Sequence, residues 1–302
     1  MADAHPHPHA SSTRAFATVT LVNLAYTVLE AGYGFHVNSL ALLSDALHNL
    51  GDVLGLGLAW GAAVLATRPP TGRHTYGWSR ATLLSPLANS VVLIVFAGLL
   101  GWEAVRRFSD PPAIPGITVM VVAGIGIFVN LGGAWLLRTD HAHDLNKRGA
   151  FLHLMADAAV SLAAVLAGAG MLYFGWAWLD PATALLVGVV IAVGTYGLLR
   201  ESFNAAMDTV PKSIDRAQVK SFLAAQPGVA AVHHLHIWRL GAGEIALTAH
   251  LVRPQEAGHD AFIDATSREL DQRFGINHAT LQIERNPACE HDRHDAAPHH
   301  SH

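Results

Sequence analysis

Cysteine is nearly missing from this chain, charge is scarce, and no nucleotide-binding loop is present. One cysteine in 302 residues, Cys289, excludes a disulfide framework and any cysteine-rich zinc module. Charged residues make up 14%, against about 25% in an average globular protein. That shortage argues against an ordinary soluble enzyme, and the apolar content against a disordered chain. The net charge of −4 and the lack of any basic stripe exclude a nucleic-acid partner. Neither a Gly-x4-Gly-Lys-Ser/Thr loop nor a His-Glu-x-x-His motif occurs, so nothing points to ATP or to a zinc-protease site. What is abundant is apolar residues, at 51% with mean hydropathy +0.31, and histidine, whose twenty copies outnumber the nineteen Lys and Arg together.

Crossing ~30 Å of hydrocarbon takes about 20 apolar residues as a helix. Residues 117–137, 158–179 and 181–199 carry no charge, and 15–36, 40–66 and 81–105 fit with acidic interruptions. These predict six transmembrane helices. The first is not a cleaved signal: it carries Glu30 and follows a His/Pro tail rather than a basic segment. Arg106 and Arg107 aside, every Lys or Arg between 15 and 200 falls in 67–80 or 138–149 or is Arg200. The positive-inside tendency therefore puts those loops and both termini in the cytoplasm.

After residue 207 the composition becomes ordinary. A short helix over 215–226, strands over 229–239 and 244–253, a helix over 259–274 and a strand over 278–285 are expected. The domain plan is a His-rich tail (1–14), a six-helix membrane domain (15–207), an α+β domain (208–287) and a second His-rich tail (288–302). The tails read as polar segments without structure of their own, and either solvated ends or weak metal collectors.

An ionised side chain at mid-bilayer costs about 2.5–3.5 kcal/mol or more, so each one needs a reason. The second helix carries His48 and Asp52, and the fifth carries His153 and Asp157, both at i, i+4 and so each on one helix face. One such pair is ordinarily just hydrogen bonded. Two pairs on two apolar helices supply two imidazoles and two carboxylates, the donor set of tetrahedral Zn²⁺. Lack of sulfur argues against Cu⁺, and imidazole against Mg²⁺ or Ca²⁺. Asp45, three residues before His48, is a further candidate ligand or a supporting carboxylate. Glu30 either lines the cavity or sits at the outer surface. Asn23, Asn49, Asn89 and Asn130 are expected to bridge helices. Metal binding needs neutral His and ionised Asp, so release of metal and uptake of protons are linked. That chemistry predicts Zn²⁺ exchanged for protons across the membrane. An intramembrane metalloenzyme and a membrane metal sensor are the alternatives. The enzyme is disfavoured because four protein ligands close the coordination sphere.

These residues resemble the cation diffusion facilitator family of metal/proton antiporters. The resemblance spans about 15–287. Its carriers are SLALLSDALHNLGDVLGL, RHTYGWSRA, NKRGAFLHLMADAAVSLAAV, DPATALLVG, VHHLHIWRL and HATLQIE. It implies a multi-pass protein of a bacterial inner membrane, a homodimer held through both domains, and a ferredoxin-like cytoplasmic domain. The transport ligands implied are His48, Asp52, His153 and Asp157, with His48 marking the zinc-preferring branch. The loop between the second and third helices keeps His74 but has Thr71 and Trp78 where relatives carry further ligands. His74 is therefore a structural group or a weak transit ligand. The loop Asp140-His141-Ala142-His143-Asp144 is either a metal collector or simply solvated.

On the hairpin, a two-residue turn at Gly241-Ala242 would set His233 opposite His250, and a three-residue turn would select His234. The resemblance favours His233, His250 and Glu284 as ligands of a regulatory Zn²⁺. Strand alternation puts His234 and His236 on the opposite face, in packing or dimer contact. A fourth ligand is expected from water, His259, Cys289 or a tail histidine; otherwise these histidines are surface groups of a dimerisation domain.

Overall fold

The computed structural model describes residues 9–137, 145–254 and 259–285. The tail histidines beyond these, the 140–144 loop and Cys289 lie outside the described residues. Six long helices come first: α1 (His9–Val37), α2 (Leu40–Ala66), α3 (Ala81–Arg107), α4 (Gly116–Leu137), α5 (Leu145–Phe174) and α6 (Leu179–Ala206). An α+β region follows: α7 (Arg216–Ala224), β1 (Ala231–Arg239), β2 (Ile245–Val252), α8 (His259–Phe274) and β3 (His278–Glu284). Among the described residues, α2 to α6 are long and apolar enough to cross a membrane. By contacts the chain forms two units, 1–58 with 88–198, and 59–87 with 199–302.

Burial in the helices is inverted relative to a soluble protein. Ser44, Asp45, Asn49, Ser90, Asp157 and Ser161 are buried, while Trp60, Leu99, Phe128, Trp135 and Val193 are well exposed. Apolar side chains facing outward and polar ones facing inward are what a hydrocarbon surround selects. The amide of Asn89 donates to the Gly51 carbonyl of α2 at 3.3 Å, and that of Asn49 to Glu30 of α1 at 3.4 Å, so both bridge helices. Glycine lets α4 and α5 approach closely. A Cβ on Gly116 would lie 2.5 Å from the Gly168 carbonyl oxygen.

Two boundaries differ from the charge pattern. The fifth helix, Leu145–Phe174, extends well before the charge-free stretch 158–179 and stops five residues short of its end. A charge-free run does not mark a helix end. Gly175 does so here, with φ +67° and its N–H donating to the Met171 carbonyl. The first helix begins at His9, inside the segment expected to be an unstructured tail and directly after Pro8, where a helix can start but not pass through.

The start of α2 is fixed by a residue far away in sequence. The fully buried carboxylate of Asp180, in the first turn of α6, accepts from Leu40 N–H at 2.9 Å, Ala41 N–H at 3.2 Å and Ser39 Oγ at 2.5 Å. A carboxylate at a helix N-terminus satisfies orphan donors and the positive end of the helix dipole together. On the same turn, Arg107 donates to the Asn38 carbonyl and side chain at 2.7 and 2.8 Å. Asn38 holds φ 58°, the left-handed conformation asparagine tolerates.

In the α+β region β2 is central, antiparallel to β1 and parallel to β3. Val219 and Leu223 of α7 and Leu270 of α8 are fully buried with Leu247 and Leu251 of β2, so the helices cover one sheet face. Asp215 caps α7, accepting from Ala217 N–H at 2.8 Å. The loop before α3 belongs to this same unit. Arg80 donates to Asp208 at 3.0 Å, and Ala242 N–H to Thr82 Oγ1 at 3.0 Å.

Asp180→Ala strips those donors of their buried acceptor. It is expected to cost about 1–3 kcal/mol and to lower the melting temperature in detergent. An unchanged melting temperature contradicts the clamp.

Candidate metal centre

Helical spacing puts His48 and Asp52 one turn apart on α2, and His153 and Asp157 one turn apart on α5. The structure brings the four side chains together, and pairs them across the two helices. His48 Nε2 lies 3.1 Å from Asp157 Oδ1, and His153 Nε2 lies 3.0 Å from Asp52 Oδ2. His153 Nε2 is also 3.6 Å from Asp157 Oδ2, and the two imidazoles meet edge to face at 5.9 Å. One ligand atom each from His48, Asp52 and Asp157 falls within a 4.8 Å group. Burial is graded. Asp157 is fully enclosed and His48 largely so, while His153 and Asp52 are 46% and 36% exposed as side chains. The cluster therefore has a closed floor and an open side.

Two of the sequence-predicted groups are not in it. Asp45 accepts from Ser161 Oγ at 3.0 Å and is completely buried. His74 is built into its own loop. Its N–H donates to Thr71 Oγ1 at 3.2 Å, and its ring stacks on Trp78 at 4.4 Å. Glu30 is fully buried rather than at the outer surface, and accepts from Tyr26 Oη at 2.7 Å.

A second cluster forms on the sheet. Near the turn, Arg239 pairs with Ile245 and His236 with Thr248, the register of a three-residue turn. Beyond a bulge, His233 pairs with His250 and Ala231 with Val252, the register of a two-residue turn. Both hairpin registers thus occur on one ladder, joined by one extra residue. His234 carries it, at φ 49°. Glu284, at the end of β3, completes the group: His233 Nε2 is 2.9 Å from its Oε2 and His250 Nδ1 is 2.7 Å from its Oε1. These three residues also supply ligand atoms within 4.8 Å of one another. Burial alone would raise the Glu284 carboxyl, but hydrogen bonding and charge from the two imidazoles outweigh it and leave its pKa below the ordinary value. His259 is not in this group.

The expectation that His234 and His236 occupy the opposite face is corrected. Leu235 and Ile237, which alternate with them along β1, are buried in the core, and the His234 ring lies 4.9 Å from that of His250. The bulge turns His234 to the imidazole side. Its sequence signal is the spacing of the core residues Val232, Leu235 and Ile237: three, then two, where an unbroken strand needs two throughout. Asp180 and Ser161 fall within the DPATALLVG and NKRGAFLHLMADAAVSLAAV runs but have no role assigned there, and Tyr26 falls in none. Only their buried hydrogen bonds reveal them.

The cation efflux transmembrane domain matches residues 17–205, and the cation efflux protein cytoplasmic domain matches 211–286. The zinc transporter ZitB of Escherichia coli is 34% identical over 300 residues, 96% of each chain. A cadmium, cobalt and zinc/H(+)-K(+) antiporter of Bacillus velezensis is 33% identical over 287 residues, 93% of this chain and 91% of that one. The solved metal-bound C-terminal domain of the CzcD transporter from Cupriavidus metallidurans is 35% identical, covering 24% of this chain and 99% of that one at a TM-score of 0.22. The chain is thus a multi-pass membrane protein and belongs to the cation efflux, or cation diffusion facilitator, family of transporters.

Proposed function

We propose that this protein exports Zn²⁺ across a bacterial inner membrane in exchange for protons, through His48, Asp52, His153 and Asp157. The observation that carries the proposal is the reciprocal pairing of His48 with Asp157 and His153 with Asp52 inside an otherwise apolar helical domain. Tetrahedral Zn²⁺ with bonds of about 2.0–2.2 Å has ligand–ligand edges of about 3.3–3.6 Å. The cross-helix separations of 3.0 and 3.1 Å, and the 3.6 Å between His153 and Asp157 within α5, need little adjustment to become such edges. Two carboxylates balance the double charge of the ion, so the loaded site is formally neutral at low dielectric cost.

The same donor atoms take either the metal or protons, so a lower pH on one side drives release there. The names of the relatives support this reading, since they include zinc transport and cation/proton exchange. In this account α1 is the sixth span, with Thr18, Thr20, Asn23 and Thr27 among its apolar residues. Both termini lie in the cytoplasm, where Zn²⁺ is collected. The domain boundaries are those read from the sequence, near 14, 207 and 287. The C-terminal domain is ferredoxin-like and dimerises the chain, and His233, His250 and Glu284 bind a regulatory Zn²⁺ there. Asp45 and His74 are not transport ligands in this scheme. A metal sensor without transport would leave the α2–α5 quartet without a role.

In proteoliposomes, Zn²⁺ flux should follow an imposed pH gradient and vanish in His48→Ala and Asp157→Ala. Each should bind Zn²⁺ at least about tenfold to hundredfold more weakly at the intramembrane site, since removing even a group behind a ligand has that effect. Flux that ignores the gradient, or survives either change, contradicts the scheme. His48→Asp should keep flux but admit Cd²⁺ or Mn²⁺ more readily, because oxygen replaces a selective imidazole; unchanged selectivity argues against His48 as a ligand. Glu284→Ala should remove one Zn²⁺ equivalent in calorimetry of the full chain and leave intramembrane affinity as it was. Binding of the same number of ions by that variant rules out the sheet cluster.

A further inference from the structure

Behind the quartet lies a second pair of carboxyl groups. Glu30 of α1 and Asp45 of α2 are both completely buried, and Asn49, one turn after Asp45 on the same face of α2, donates to Glu30 at 3.4 Å, which sets the two carboxyls side by side. Their protein donors are few. Tyr26 Oη and Asn49 Nδ2 donate to Glu30 at 2.7 and 3.4 Å, and Ser161 Oγ donates to Asp45 Oδ2 at 3.0 Å. Asp45 Oδ1 is buried and receives no hydrogen bond.

Two adjoining carboxylates cannot both stay ionised in such a place. Among the described residues no lysine or arginine is hydrogen bonded to either carboxyl, and like charges a few ångströms apart in low dielectric repel strongly. One shared proton solves both problems: it cancels one charge and gives an otherwise unpartnered oxygen a donor. We propose that Glu30 and Asp45 form a proton-carrying carboxyl pair, a site for the counter-ion separate from the four metal ligands. This rests on reading the chain as a cation/proton exchanger.

The pair is linked to the metal by charge rather than by contact. Asp45 precedes His48 by three residues on α2, so their Cβ atoms are about 5–6 Å apart. The titratable groups facing the pair are Tyr26 on α1, His48 on α2 and Asp157 on α5; α4 offers the Val122 carbonyl, 3.3 Å from Tyr26 Oη. A dication bound one helical turn away repels the shared proton. Metal arrival takes the site's formal charge from −2, with neutral imidazoles and ionised Asp52 and Asp157, to zero, which removes the attraction that holds the proton on the pair; the proton leaves, and metal departure draws one back. Stoichiometry then exceeds what the quartet alone supplies.

The test counts protons released per Zn²⁺ bound by the full-length protein in detergent, by calorimetry in buffers of different ionisation enthalpy. Glu30→Gln keeps an acceptor for Tyr26 and offers a permanent donor to Asp45. It should release about one proton fewer per metal than wild type, with Zn²⁺ affinity kept within about twofold. An equal proton count overturns the proposal. So does a tenfold or greater loss of affinity, which would make Glu30 part of the metal site. Asp45→Asn reads the same count independently. Infrared difference spectra of the unmutated protein supply a readout that needs no variant: Zn²⁺ should erase a protonated-carboxyl C=O band, and the absence of that loss also overturns the proposal. Wild-type protein that releases no protons at all on binding Zn²⁺ would instead defeat the exchanger reading itself.

Discussion

Everything in the membrane part turns on the cost of placing carboxylates in an apolar surround. Asp157 has no exposed surface, and the imidazole of His48 is what meets it. Asp52 is met by His153 in the same way. Because each histidine reaches the acid of the other helix, α2 and α5 are tied by their polar groups rather than by apolar burial, which hydrocarbon does not reward. A site built so gains from any cation that replaces the protons between these atoms, and in the exchanger proposed that gain is the transported ion's binding energy.

The rest of this unit holds the two helices where that can happen. Asp180 and Arg107 fix the turn that begins α2, about two helical turns before His48. On the other side, Gly126 leaves room for Tyr26, whose hydroxyl would lie 2.3 Å from a Cβ there. Tyr26 in turn holds Glu30 beside Asp45. Loosening any of these would move ligands by fractions of an ångström, which matters when ligand bonds tolerate about ±0.2 Å.

Much of this was legible from residue order alone. Periodicity and charge located the long helices, and the repeated i, i+4 spacing named four side chains that do converge. What escaped has physical reasons. The end of α5 depends on one glycine with positive φ inside a charge-free run. The bulge at His234 had a trace in the odd spacing of Val232 and Leu235, but strict alternation hid it and put two histidines on the wrong face. Contacts such as Asp180 with Leu40 join positions some 140 residues apart, and nothing in local spacing announces them. The cross-helix choice of partners is likewise invisible in either helix taken singly.

Crystals grown with Zn²⁺ and measured at the zinc absorption edge test the central claim most directly. The account predicts an anomalous peak bounded by His48, Asp52, His153 and Asp157. A peak at the sheet histidines with none between α2 and α5 would contradict it.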